Sequence, residues 1–436
     1  MKVKHKPQID GPIGWLETSP YKDKFEGSSL TQDCKFDYVI IGAGYTGLSA
    51  ARRLAELNPD ASIAVFDALK VGEGASGRNS GFLMDIPTAA YTDGYNHDFA
   101  IGIVKINRFG VKKLKSLVDE FNLDVDWSEQ GHLLAACSDN NYAKLDKYTN
   151  ALNQLGEHFE VWNEEQLSKT LGTDYYSKAI YTKGGVLVNP VSLIIGLAQS
   201  LPANVNVFEN SPIDQINFGL KNQLTIGQYV IEAKTLLVAA NAFNEVLHVA
   251  DHKLAPISTY ASMTRVLTEQ ELENFEGIEH YGLTPAHAAG TTVRFTSDKR
   301  ILIRNGLQAS LESKEKDLLK AEAVHRKSLA NRFPCLKDVP FEYCWGGNLC
   351  VTMNGQSHFH KHNENLFSIG GMNGTGVAKG TFLGHYMAEL MCNVEGQELA
   401  FIKQYSQPTW VPPEPIRGIG VSMRLSLEQL LAGKEV

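Results

Sequence analysis

Unbroken apolar runs and amphipathic stretches of helical period alternate along the chain, and the first of these runs is the most informative. Tyr38, Val39, Ile40 and Ile41 are all apolar, as a parallel strand buried on both faces should be. Gly42, Gly44 and Gly47 follow, then a helical stretch, and a second apolar strand, Ser62 to Phe66, ends in Asp67. From Gly72 to Gly81 the chain is too rich in glycine to predict regular structure. Apolar spacing predicts helices over 101–123 and 142–155, with a strand at 131–137 between them. An Asn-Pro pair starts a helix near Pro190, and 204–208, 213–218 and 235–240 read as strands, the last ending at Asn241. Stretches 256–267 and 291–306 alternate β-branched and polar residues, as antiparallel strands with one covered face do. Residues 317–333 read as helical again. Leu366 to Ile369 is a short apolar strand that runs into a second glycine-rich turn, 370–376, and a long amphipathic helix through Met391.

Strand, G-x-G-x-x-G, helix, second strand and terminal acid together make a dinucleotide-binding βαβ unit. Gly42 allows the tight turn, Gly44 lets the backbone approach a pyrophosphate, and Gly47 lets helix and strand pack closely, while the helix N-terminus offers free N–H groups to the phosphates. Asp67 stands twenty residues beyond Gly47, where a carboxylate accepts hydrogen bonds from a ribose 2′-hydroxyl and repels the 2′-phosphate of NADP. FAD and NAD remain. An NAD enzyme usually needs one glycine fingerprint, whereas a flavoprotein must also hold the isoalloxazine ring, and the second strand–glycine–helix junction suits the pyrimidine edge of that ring. FAD is therefore the expected cofactor.

Composition sets outer limits. With 43% hydrophobic and 21% charged residues, 436 residues suffice for one large two-lobed unit or two domains. A formal charge of −8 and a pI near 5.9 argue against nucleic acid and are compatible with a cationic substrate. No apolar run reaches about 18 residues, so no membrane span is expected. The first residues are basic without an apolar stretch behind them, so no signal peptide is expected. Six cysteines without a C-x-x-C pair predict reduced thiols and a cytoplasmic protein. The oligomeric state is open at this level.

The motifs DYVIIGAGYTGLSAARRL, VGEGASGRNSGF, Trp345-Gly346-Gly347 and SIGGMNGTGVAKGTFLG, in this order and spacing, resemble the FAD-dependent amine and amino-acid oxidases of the D-amino-acid oxidase, glycine oxidase and sarcosine oxidase superfamily. Within it the chain is most similar to the gamma-glutamylputrescine oxidase branch. The resemblance implies an α/β fold: a Rossmann-like, glutathione-reductase-type FAD domain assembled from residues 36–98, 180–250 and 345–395, and an α+β substrate domain from 99–179 and 251–344 whose antiparallel sheet roofs the flavin. Residues 1–35 are then an irregular arm anchored by Trp15 and Leu16, and 396–436 a C-terminal tail. The expected cofactor contacts are Gly42, Gly44, Tyr45, Thr46 and Gly47 in the first turn, Asp67, then Ala75, Ser76, Arg78, Asn79, Ser80 and Gly81 in the glycine loop. Asn241, Trp345, Gly371, Gly374, Thr375, Gly376 and Val377 complete the set.

The implied reaction oxidises the C–N bond of an amine to an imine, with oxygen as the expected electron acceptor and hydrogen peroxide as a product. Two alternatives stay open: an amino-acid dehydrogenase of the same fold that passes electrons to a quinone or protein, and a flavin-binding protein without turnover. Departures from the family pattern bear on substrate. Where the glycine oxidase branch has an Arg two residues after the W-[A/G]-G, this chain has Leu349, and Asn373, Gly374 and Thr375 stand where a second Arg occurs. An amine, a polyamine derivative among the candidates, or a carboxylate held elsewhere fits better than a simple α-amino acid. Cys350 lies about one residue from the position of covalent attachment in the sarcosine oxidase branch, and a one-residue offset turns a strand side chain to the other face, which favours noncovalent FAD. Tyr260, His358 and Lys379 are the weak catalytic candidates, with Lys379 read as a solvated helix lysine and His358 and His360 as surface residues. Arg294 is read as packing, and no ligand set suggests a metal.

Overall fold

In the computed structural model, which describes residues 1–8, 11–86, 97–311 and 314–436, the apolar strand Cys34–Ile41 lies between two parallel neighbours, Ile63–Phe66 and Tyr229–Val238. Val205–Phe208 extends this sheet beyond Ile63–Phe66, and Leu366–Gly370 extends it beyond Tyr229–Val238, both parallel. An antiparallel edge strand, His358–Asn363, closes one side, and the hairpin strands Gln215–Asn217 and Asn222–Ile226 attach to Tyr229–Val238. Ile63–Phe66 and Leu366–Gly370 are buried along their whole length, as their continuous apolar sequences require. Helices Tyr45–Leu57 and Gly376–Met391 cover one face and cross in backbone contact, since a Cβ added at Gly384 would stand 2.1 Å from the Thr46 carbonyl oxygen.

A second sheet runs in the order Phe341–Val351, Ala255–Thr264, Ile301–Gln308, Thr292–Phe295, Tyr281–Pro285, His132–Ala136, Lys178–Thr182, Glu160–Asn163. Neighbours are antiparallel except Tyr281–Pro285 with His132–Ala136. The single alternating stretch expected at 291–306 is a hairpin, because Thr296–Arg300 turn back and Lys299 has a positive φ of 64°. Positions 180 and 345, expected as domain boundaries, fall inside Lys178–Thr182 and Phe341–Val351 of this sheet. Part of the first expected FAD segment, residues 87–96, lies outside the described residues.

Cross-strand partners share a face, which fixes where each side chain of this sheet goes. Tyr343, Met263, Leu302 and Arg294 form one row across four strands, and Trp345, Ala261, Arg304 and Thr292 form the next. Met263, Leu302, Ala261 and Trp345 share a core with Ile40, Tyr45, Val188 and Phe382, so this face packs on the first sheet's domain. The opposite face carries Ser262, bonded to His325 Nδ1 at 2.7 Å, and Ile303 and Phe295, which pack with Leu329 and Phe333 of the helix Glu315–Arg332. The expected tail contributes two helices, Gln397–Tyr405 and Ile416–Ala432, and Gln429 of the second donates to the Leu307 carbonyl.

Two local readings change. Ala75–Arg78 forms one helical turn, because Gly77 serves close packing rather than freedom: a Cβ there would lie 1.9 Å from the Gly72 oxygen. The arm also holds a helical turn, Gly14–Glu17, and Trp15 within it is buried with Nε1 donating to Asn79 O at 2.9 Å. Among the described residues no helix is long and apolar enough to cross a membrane.

Candidate functional site

The carboxyl ends of the parallel strands open into a cleft of about 1250 Å³, counted to its mouth. Gly42, Gly44, Asp67, Ala75, Ser76, Arg78 and Asn241 line it, together with Gly346, Gly347 and Asn348 of the second sheet. Open parallel sheets bind ligands at this place, beyond the carboxyl ends of the strands. Backbone contact dictates glycine at two turn positions, where a Cβ at Gly42 would meet Ala239 O at 2.7 Å and one at Gly47 would meet Gly42 O at 1.9 Å, while at Gly44 it would meet the Ser76 side chain, Oγ at 2.7 Å. The Tyr45 N–H donates to Ser76 Oγ at 3.3 Å, so the N-terminus of helix Tyr45–Leu57 and the glycine loop share one small space.

Asp67 closes the other end. Its Oδ2 accepts from the Ala43 N–H at 2.7 Å and its Oδ1 from the Leu69 N–H at 2.9 Å. Burial nevertheless raises its pKa to about 6 against these two donors. Ribose hydroxyls would add donors and favour the ionised carboxylate. FAD affinity is therefore expected to be full above about pH 6 and to fall as Asp67 takes up a proton below it, by up to about tenfold per pH unit. Titration of apoprotein with FAD across pH 5 to 8 checks this, and Asp67→Asn should bind more weakly with that dependence gone.

Tyr45, Thr46 and Val377 stand behind the wall. Tyr45 Oη donates to Pro190 O, its ionisation suppressed by complete burial, and Thr46 and Val377 pack between the two helices. Arg78 donates from Nε to Glu73 O and from Nη1 to Gly346 O at 2.7 Å, tying the glycine loop to the second sheet. Asn79 bonds Ser76 O and the Gly81 N–H, Ser80 O accepts from Arg294, and Trp345 Nε1 donates to Arg78 O at 3.1 Å. The second junction, Gly371 to Val377, lies outside the wall of the cleft and joins it through Asn241, whose Oδ1 accepts from the Gly371 N–H at 3.0 Å. Gly371, Asn373 and Gly374 all have positive φ there.

The weak catalytic candidates separate. Tyr260 is paired with Asn305 and Gly346, which puts it on the outer face with Ser262, and its hydroxyl donates to Gln308 Oε1. His358 is buried, bonded to Ser368 Oγ at 2.7 Å, and held neutral with its pKa down to about 3 by burial and the neighbouring His360 and His362. His362, which lies beyond the H-x-H pair, bonds the same Ser368. Lys379 is not solvated: it is buried, donates to Met372 O at 3.2 Å, and burial lowers its pKa to about 8. The apolar run around it, Val377 to Leu383, is the sequence signal for that burial. Cys350 packs with Ala242, Ala250 and Leu254, and burial pushes its thiol up to about 12, which disfavours the thiolate.

One part of the site carries no sequence signal. Val3, His5, Lys6, Pro7 and Gln8 of the arm line the cleft, held by Val3 N–H to Asp214 O at 2.9 Å and Lys6 Nζ to Asp214 Oδ1 at 2.6 Å.

A dinucleotide fits this arrangement, with cradling glycines, a half-buried acid at one end and a glycine turn with a helix start at the other. A model of the family described as FAD-dependent oxidoreductase (DAO) matches residues 37–390. The gamma-glutamylputrescine oxidoreductase of Escherichia coli is 26% identical over 372 residues, 83% of this chain and 85% of that protein. A probable oxidoreductase OrdL of Haemophilus influenzae is 25% identical over 386 residues, 84% of this chain and 85% of that one. Among solved structures, glycine oxidase from Geobacillus kaustophilus superposes with a TM-score of 0.70 at 18% identity, covering 83% of this chain and 96% of its own. Iminodiacetate oxidase from Chelativorans sp. BNC1 gives 0.68 at 17% identity, with 86% and 100% covered.

Proposed function

The chain belongs to the DAO family of FAD-dependent oxidoreductases, and from that premise we propose that it oxidises the C–N bond of an amine, a polyamine derivative among the candidates, with dioxygen as electron acceptor. The observation that carries the substrate reading is Leu349. It shares the face of Trp345 and Gly347 that looks toward the cofactor domain, and an apolar side chain there offers no fork for the carboxylate of a small α-amino acid. Asn373, in the second junction, is occupied by Thr352 N–H and Gly355 O.

Asp67 would hold the ribose, Gly44, Ser76 and the helix N-terminus beside them the pyrophosphate, and Asn241 with the Gly371 turn the far end of FAD. When bound, FAD supplies the two-electron acceptor for the C–N bond and the route of those electrons to oxygen. The chain's own part is positional. The second sheet excludes water from the reacting carbon, and desolvation there favours the neutral amine whose lone pair assists oxidation. Lys379 keeps a proton at Nζ against Met372 O and adds positive charge near the start of helix Gly376–Met391. No dedicated base is required. The unpaired cysteines fit a reducing compartment, which supports a cytoplasmic setting.

The test is anaerobic addition of amines and amino acids, one at a time, to the FAD-loaded protein. Bleaching near about 450 nm by amines, reversed by air with release of peroxide, is the expected result. Bleaching without peroxide in air would replace oxygen with a quinone or protein acceptor. A flavin band that no donor bleaches would reject turnover and leave a flavin-binding protein.

A further inference from the structure

The chain buries several guanidinium groups, and their partners differ in kind. Arg52 donates to Ser200 O and Oγ, Arg332 to Ser328 Oγ, Tyr176 Oη and Glu435 O, and Arg294 to Ser80 O and Val188 O. Arg304, half-buried on Ile301–Gln308, makes no hydrogen bond or ion pair with any described residue. Burial alone lowers its pKa, to about 10. A half-buried guanidinium on a packed sheet face, with no acceptor among the described residues, is a place where a ligand can supply one.

Its place in the sheet says which ligand. Arg304 is paired with Ala261 on one side and Thr292 on the other, small residues that leave room around a guanidinium. Trp345 completes that row, two strand spacings or about 10 Å from Arg304. One step along the same face come Thr259 and Gly347, and Gly347 lines the cofactor cleft. Arg304 thus stands on the cofactor-facing side of the sheet, the side that also carries Leu349, four residues beyond Trp345.

We propose that Arg304 is the anion anchor of the substrate pocket, so that the amine oxidised here carries a carboxylate which the Arg304 guanidinium grips with two parallel hydrogen bonds. This deepens the amine-oxidation reading and rests on it for the reaction, though not for the anion. The carboxylate is held from a strand other than the one that bears Leu349, which displaces the amine relative to the anchor and admits a substrate whose carboxylate is remote from the reacting carbon.

The test uses FAD-loaded protein and two probes of equal shape, benzoate and benzamide, titrated while the flavin absorption band is followed. Benzoate is expected to perturb the wild-type band and to bind at least about 100-fold more weakly to Arg304→Met, with Arg304→Lys in between and benzamide indifferent to all three. Flavin content and melting temperature should match the wild type. Equal binding of benzoate and benzamide to the wild type, or unchanged benzoate affinity in Arg304→Met, overturns the anchor. So does a variant that loses FAD and both probes together, which marks a structural arginine. If benzoate behaves as expected but no amine bleaches the flavin, the anchor stands and the amine reading falls. If amines bleach it while carboxylate binding ignores Arg304, the amine reading stands alone.

Discussion

Replacing Gly47 with alanine is expected to yield a protein that purifies without flavin and has lost roughly 3 kcal/mol or more of stability. The added Cβ would sit 1.9 Å from the Gly42 carbonyl oxygen and 3.1 Å from its carbon. Both obstacles are backbone, so no rotamer change relieves them. Helix Tyr45–Leu57 would have to move away from the strand that precedes it, and on its other side it already touches Gly380 and Gly384 of the helix Gly376–Met391. The movement takes the Gly44–Tyr45 turn out of register with Ser76, where the pyrophosphate is expected. The ratio of flavin to protein absorbance after reconstitution, with a thermal melt of the apoprotein, measures both consequences. A Gly47→Ala protein that binds FAD normally and melts with the wild type would show that helix and strand are not packed as described.

Arg294→Met should cost about 3 kcal/mol and loosen FAD retention, although Arg294 touches no part of the cleft wall. The guanidinium is fully buried and donates from Nη1 to Val188 O at 2.7 Å and Ser80 O at 3.1 Å. It also stands 4.9 Å above the Trp15 ring and 5.9 Å from Phe82. One side chain of the second sheet thereby fastens the glycine loop, the entry to helix Pro190–Gln199 and the arm. Methionine matches the length but removes the donor from the buried Val188 carbonyl and the half-buried Ser80 carbonyl. Burial holds the Arg294 pKa down to about 10, still above any working pH, so the loss should be the same from pH 6 to 8. Denaturant midpoints for apo and FAD-loaded forms measure it. A midpoint within error of the wild type would mean the loop is held by its own bonds.

Features set by neighbours in sequence are legible in the chain, and features set by distant partners are not. The glycine turn, Asp67 and the buried strands Ile63–Phe66 and Leu366–Gly370 follow from runs of a few residues whose type alone decides their environment. Trp15 is readable as an anchor because so large an aromatic seldom stays in water, but the helical turn that carries it is not. Lys379 reads as solvated only when the charge at one position is weighed above the apolar residues on every side of it. The arm's passage over the cleft depends on Asp214, more than two hundred residues away, which no local pattern records. Arg304 is the sharpest case. An arginine between Ile303 and Asn305 on an alternating strand reads as ordinary, and only the register shows which way it faces and what is missing around it.

The order in which the first sheet is assembled bears on how the protein is made. Its central strand, Cys34–Ile41, pairs with a neighbour twenty-five residues on and another nearly two hundred residues on, and the next strand out ends at Gly370. A ribosome has therefore released most of the chain before the sheet can close, and the early βαβ unit waits with an apolar edge uncovered. Such nascent species are prone to association and to capture by chaperones. Yield of soluble protein should thus depend on elongation rate and growth temperature during synthesis more than on the stability of the finished fold, and chains broken off before residue 366 should accumulate as aggregate rather than as a smaller folded domain.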